Sequence, residues 1–170
     1  CTTAKEAMEK LARGMMIAIR EGSAARNLEA LLPIVTDATA QRCCFCTDDR
    51  HPSGLVNEGH IDHVVRRAVS LGLDPCLALA MGSLHPALHY RLEYLGAIAP
   101  GRWADCFSFS SLDDIRPDVV FIAGEIVAKE GHAVEGLLDH HQTPSLEIAR
   151  ETVHISEDLT SSELVPVAPN

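Results

Sequence analysis

Two short, unbroken apolar runs, residues 15–19 and Cys43–Cys46, each stop abruptly in a polar cluster. Four or five consecutive apolar residues without polar alternation describe a strand buried on both faces, the habit of parallel sheets. Helical patterns flank both runs. Thr3-Ala4-Lys5-Glu6 is a capping box, followed at helical spacing by Met8, Leu11 and Ala12, with Gly14 suited to the C′ position. Leu28, Leu31 and Leu32 continue a second pattern as far as Pro33. A third is expected over residues 59–71, closed by Gly72. Asp74-Pro75 supplies a cap and a first-turn proline for a fourth, and His85-Pro86 restarts a last short helix to about residue 92. Short buried strands alternating with helices predict an α/β fold, a parallel sheet or barrel.

From Gly96 the texture changes. Residues 96–105 are rich in turn formers, and Cys106-Phe107-Ser108-Phe109 alternates apolar and polar. Residues 119–123, Gly124-Glu125 and residues 126–128 read as a hairpin with a tight glycine-containing turn. The expected organisation is an α/β part over 1–95, a small β-sandwich segment over 96–131 and an unassigned remainder over 132–170. A chain that opens on Cys1, almost directly in a helix signal, reads as a fragment of a longer polypeptide.

The formal net charge is -10, nearly all of it from residues 101–170. An acidic surface repels a phosphate backbone, so no nucleic-acid partner is expected. The apolar runs are far too short to span a bilayer, and a basic, then apolar, leader is lacking, so no membrane partner is expected either. Six cysteines in such a context read as reduced thiols of a cytoplasmic protein rather than a disulfide frame.

The strongest chemical signal is Thr47-Asp48-Asp49-Arg50-His51. Ligand sites of parallel α/β folds lie beyond the carboxyl ends of strands, where a carboxylate can bind metal or move a proton. Successive strand residues face opposite ways, so only one of Asp48 and Asp49 should face a site. The competing reading is a solvated turn. Arg20-Glu21-Gly22-Ser23 ends the preceding run and could bind substrate, or merely open a helix with Ser23 as its cap. Cys43, Cys44 and Cys46 with His51, His60 and His63 lack the Cys-x-x-Cys spacing of a zinc site, and buried thiols are the plainer reading. His60 and His63 suit a helix's first turn. His85 and His89 straddle Pro86, His140-His141 default to a loop, and Trp103 reads as core of the β unit.

Residues 45–52, Phe-Cys-Thr-Asp-Asp-Arg-His-Pro, with Glu58-Gly59-His60-Ile61-Asp62-His63, resemble adenine deaminases of the bacterial type in the amidohydrolase superfamily. Residues 16–25 resemble the same family's preceding strand and turn. Pro100-Gly101-Arg102-Trp103-Ala104-Asp105 resembles the wider superfamily's passage from barrel to β-sandwich.

The resemblance covers residues 1–131 and implies the C-terminal part of a (β/α)8 TIM-like barrel, followed by a β-sandwich segment, with residues 132–170 a linker and the start of the family's C-terminal domain. It implies metal-dependent hydrolysis of adenine to hypoxanthine and ammonia, with manganese or iron (Mn2+ or Fe2+) acidifying a water. Asp48 matches the carboxylate that ends the eighth strand, which ligates the metal and takes the proton; Asp49 is the second candidate. Arg20, Glu21 and Ser23 would end the seventh strand on the substrate side. The partner implied is a small purine, and the full-length enzyme is expected to be a homo-oligomer. The family's His-x-His and its other histidine ligands have no counterpart here and are expected upstream of Cys1, so the fragment alone should be inactive. Gly82-Ser83-Leu84-His85-Pro86 departs from the Ala-Thr-x-Asn-Pro more usual in relatives, at a helix restart remote from the chemistry.

Overall fold

A computed structural model describes residues 1–137. His140, His141 and most of the unassigned remainder lie outside the described residues. The first helix, α1 (Ala4–Ala12), forms where the capping box stands: Thr3 Oγ1 accepts from the Glu6 N–H at 3.3 Å, while Glu6 Oε2 accepts from the Thr2 N–H at 3.0 Å. Ala7 and Leu11 make its buried face. Gly14, at φ 82°, turns the chain into β1 (Ile17–Arg20). The strand begins later than the apolar run suggested, because Met15 stays on the surface beside this turn.

After β1 come α2 (Leu28–Leu31), two 3-10 turns (Leu32–Ile34 and Ala40–Arg42) and β2 (Cys43–Cys46). Pro33 shortens the second helix as expected of a residue with no N–H to donate. β1 and β2 pair in parallel, Ile17 opposite Cys43 and Arg20 opposite Cys46. A helix absent from the sequence reading follows, α3 (Pro52–Asn57), with proline at its first position. Then come α4 (Ile61–Ser70), α5 (Pro75–Gly82) and α6 (Leu84–His89). Asp74 caps α5 through a 2.9 Å bond from the Leu77 N–H.

Alternation along the parallel pair decides which face is buried. Ile17, Ile19, Cys43 and Phe45 join Leu28, Leu31, Val64, Ala68, Ala78 and Met81 in one apolar core beneath the helices. Ala18 and Arg20 point to the opposite, more open face. Mixed helices and strands of this order make the chain α/β in class.

Residues 106–133 form a four-stranded antiparallel sheet, β3 (Cys106–Ser108), β4 (Val119–Ile122), β5 (Glu125–Lys129) and β6 (His132–Ala133), in that order. The β4–β5 turn has Ala123 at φ 52° and Gly124 at φ 82°, the two positive angles of a type I′ turn. Asp105 Oδ1 holds it by accepting the Ala123 N–H at 2.7 Å. Trp103 is not core, contrary to expectation. The residue is 62% exposed and its ring stacks on Tyr94, with centroids 6.5 Å apart. Residues Cys1–Val134 form one compact unit. Among the described residues no helix is long and apolar enough to cross a membrane.

Candidate active site

The carboxyl ends of β1 and β2 carry two polar loops, residues 20–25 and 47–51, and these bind each other closely. The Glu21 N–H donates to the Cys46 carbonyl at 3.1 Å, extending the ladder by one bond. Arg20 Nη1 reaches Asp48 Oδ2 at 2.6 Å while its Nε donates to Asn27 Oδ1 at 2.8 Å. The Ala24 N–H donates to Asp49 Oδ2 at 2.8 Å, and the His51 N–H donates to Ser23 Oγ at 2.9 Å. Arg50 Nη1 donates to the Glu21 carbonyl at 3.4 Å.

The two adjacent carboxylates diverge. Asp48 has φ 55° and lies beside Arg20, its side chain 45% exposed. Asp49 turns against the other loop. A Cβ on Gly22 would stand 1.9 Å from Asp49 Oδ1, so only glycine leaves room for that carboxylate. The backbone hydrogen bond from Ala24 is the chief reason the Asp49 carboxyl titrates below its ordinary value.

Glu21, expected on the substrate side, is 1% exposed. Its carboxylate lies 3.0 Å from Arg67 Nε and accepts the Leu28 N–H at 3.3 Å. The buried carboxylate, paired with a partly exposed guanidinium, ties the end of β1 to α2 and α4 rather than facing a ligand. Arg50 is likewise buried, its side chain 3% exposed, with Nη2 on Glu58 Oε2 at 2.6 Å. His63 lies beside this pair, 3.8 Å from Glu58. Burial, then the Arg50 cation, pushes its pKa below the ordinary imidazole value. Burial alone would raise Asp62, but the hydrogen bonds from Arg66 and the His60 N–H leave it below the usual carboxylate range.

The remaining candidates scatter. Cys43 faces the core, and burial pushes its thiol up to about 11; burial raises Cys44 and Cys46 as well. Such thiols stay protonated and behave as small apolar groups. His60 is the N-cap residue of α4, its Nε2 3.2 Å from Thr47 Oγ1. His85 is buried, with Nδ1 3.1 Å from the Cys43 carbonyl. Among the described residues, no three His, Cys, Asp or Glu side chains converge to hold a metal ion. Asp48 offers one hard oxygen donor, so the residues present fit one corner of a manganese or iron site. Asn27 and Arg67 escaped the sequence reading. The only available signal was their position, one turn or one helix away from the polar clusters they serve.

Residues 1–127 match the Amidohydrolase family. A protein of Syntrophobacter fumaroxidans named adenine deaminase is 45% identical over 169 residues, covering 99% of this chain and 29% of that protein. A Carboxydothermus hydrogenoformans protein named adenine deaminase 2 is 50% identical over 131 residues, 77% of this chain and 23% of its own length. A Kosmotoga olearia protein named adenine deaminase is 46% identical over 134 residues, 79% of this chain and 23% of its own. The chain thus spans less than a third of these relatives, and it belongs to the amidohydrolase family.

Proposed function

We propose that this chain is the C-terminal part of the (β/α)8 barrel of an adenine deaminase, with the return into its β-sandwich, and that the complete protein converts adenine and water to hypoxanthine and ammonia. The observation that carries the reading is the placement of Asp48. It stands just past the carboxyl end of a parallel strand, beside the open sheet face and clear of the helix-packed core. The shared name of the relatives points the same way.

In this reading β1 and β2 are the seventh and eighth barrel strands. A bound manganese or iron ion would make a water more acidic and orient it. Asp48 serves as one ligand and accepts the water's proton. A carboxylate beside a cation stays ionised yet remains basic enough for that transfer. The proton passes to the departing amine as the C6–N bond breaks, so water's oxygen ends on C6 and ammonia leaves. Arg20 keeps the unloaded Asp48 paired, and Ser23, whose hydroxyl oxygen accepts the His51 N–H, lies on the substrate side. Glu21 acts from the interior by holding this loop.

The test is ammonia release from adenine by the full-length protein supplied with manganese. The expected result is turnover that falls by at least about a thousandfold in Asp48→Asn, the scale of losing a metal ligand and proton acceptor together. Turnover of another cyclic amidine or amide but not adenine would leave only the family assignment.

A further inference from the structure

Resting on that reading, we propose that Asp49 is a positioning residue: its carboxylate, seated in the notch that Gly22 leaves open, latches the β1 and β2 loops together and so fixes the direction of Asp48. Asp49 borders the strongest chemical candidate in the sequence and has the same functional group, yet the structure gives it other work. One oxygen accepts the Ala24 N–H at 2.8 Å; the other sits where a Gly22 Cβ would come within 1.9 Å. The Thr47 carbonyl lies 3.0 Å from that same point, so the notch is closed on its second side by the β2 loop's own backbone.

The latch is reinforced on both sides. Ser23 accepts the His51 N–H, and Arg50 donates to the Glu21 carbonyl, so the contacts run alternately from one loop to the other. Asp48 falls between the strand ladder and these contacts. Its backbone is in the left-handed region, φ 55°, a conformation that needs support from both sides to persist. Arg20 alone cannot supply this. Its ion pair with Asp48 is exposed and would be exchanged for a cation on loading, whereas the Asp49 carboxylate is held by the other loop's backbone.

The contact predicts a distinctive pattern of variants in the full-length protein, read as manganese bound per chain after desalting and as kcat and KM. Asp49→Asn keeps an oxygen to accept the Ala24 N–H, so it retains its metal, with kcat within about threefold of wild type. Asp49→Ala and Gly22→Ala each lower kcat at least about tenfold with smaller changes in KM, since a small misdirection of a catalytic group is costly. The double variant is no worse than Gly22→Ala alone, because both changes break one contact. Asp48→Asn loses the metal.

Asp49→Asn losing as much metal or turnover as Asp48→Asn would overturn the proposal, as would losses in Gly22→Ala and Asp49→Ala that multiply. If the wild type binds manganese but releases no ammonia from adenine, the adenine reading fails. The latch is then decided by metal content: Asp49→Asn keeping its manganese supports it, and losing as much as Asp48→Asn overturns it. A wild type that holds no manganese overturns both.

Discussion

Side-chain chemistry in this molecule is set by what each group touches across the two loops. Asp48 and Asp49 share a functional group and a neighbourhood, but one lies beside a guanidinium at the open face and the other accepts a backbone N–H in a glycine notch. The Glu58–Arg50 pair shows the same dependence on surroundings. Arg50 is buried and relies on Glu58 for its shortest hydrogen bond. Glu58→Ala should therefore cost about 1–3 kcal/mol, the range for leaving a buried polar group under-satisfied, as measured by urea unfolding. His63 adds a pH dependence. Its folded pKa lies below the unfolded value of 6.5, so the unfolded chain binds the extra proton first. The stabilisation is full above 6.5 and is lost as pH falls through the lowered folded value. Thermal midpoints taken between pH 7.5 and 5 should drop in the wild type and drop less in His63→Gln. Asp49 and Asp62, both lowered from 3.8, add a second loss below that value.

Among the elements, local signals governed how each one starts and ends. Thr3, Gly14, Asp74 and Pro75 act where their chemistry predicts, because a cap or a positive φ is satisfied within a few residues. Asp74→Ala should cost about 1 kcal/mol of stability by denaturant titration, the usual value of an N-cap. The β4–β5 hairpin was legible as well, although its turn falls one residue earlier than expected, on Ala123-Gly124 rather than Gly124-Glu125. Ala123, however, occupies a left-handed position suited to asparagine or glycine. Ala123→Asn should raise stability by about 0.5–1 kcal/mol through relief of that strain, seen as a higher unfolding midpoint. Helix α3 was missed because His51-Pro52 sits inside a dense polar cluster. Its proline is a helix-opening signal only once the preceding strand end is known.

Across the molecule, the two-stranded parallel sheet covers one face with helices and leaves Ala18 and Arg20 on the other. Apolar side chains such as Leu88, Tyr90, Tyr94, Ile98 and Trp103 are also exposed. Unpaired strand edges and apolar surface of this kind promote self-association. The isolated 170-residue chain should elute above its monomer mass of 18.4 kDa in size-exclusion chromatography with light scattering, shifting with concentration. A monodisperse monomer would refute this.

Local sequence was enough for the order of the helices and strands apart from α3, for the caps and for the hairpin, and it singled out Asp48 and Asp49, since all of these follow from periodicity and from chemistry within a few residues. Only the tertiary structure decided that Asp48 and Asp49 part company, that Glu21 turns inward to Arg67, and that Trp103 lies at the surface. The first two outcomes depend on partners 25 or more residues away, brought near by the parallel pairing of β1 with β2 and the packing of α4. No spacing rule along the chain encodes which side of a loop such a partner will occupy.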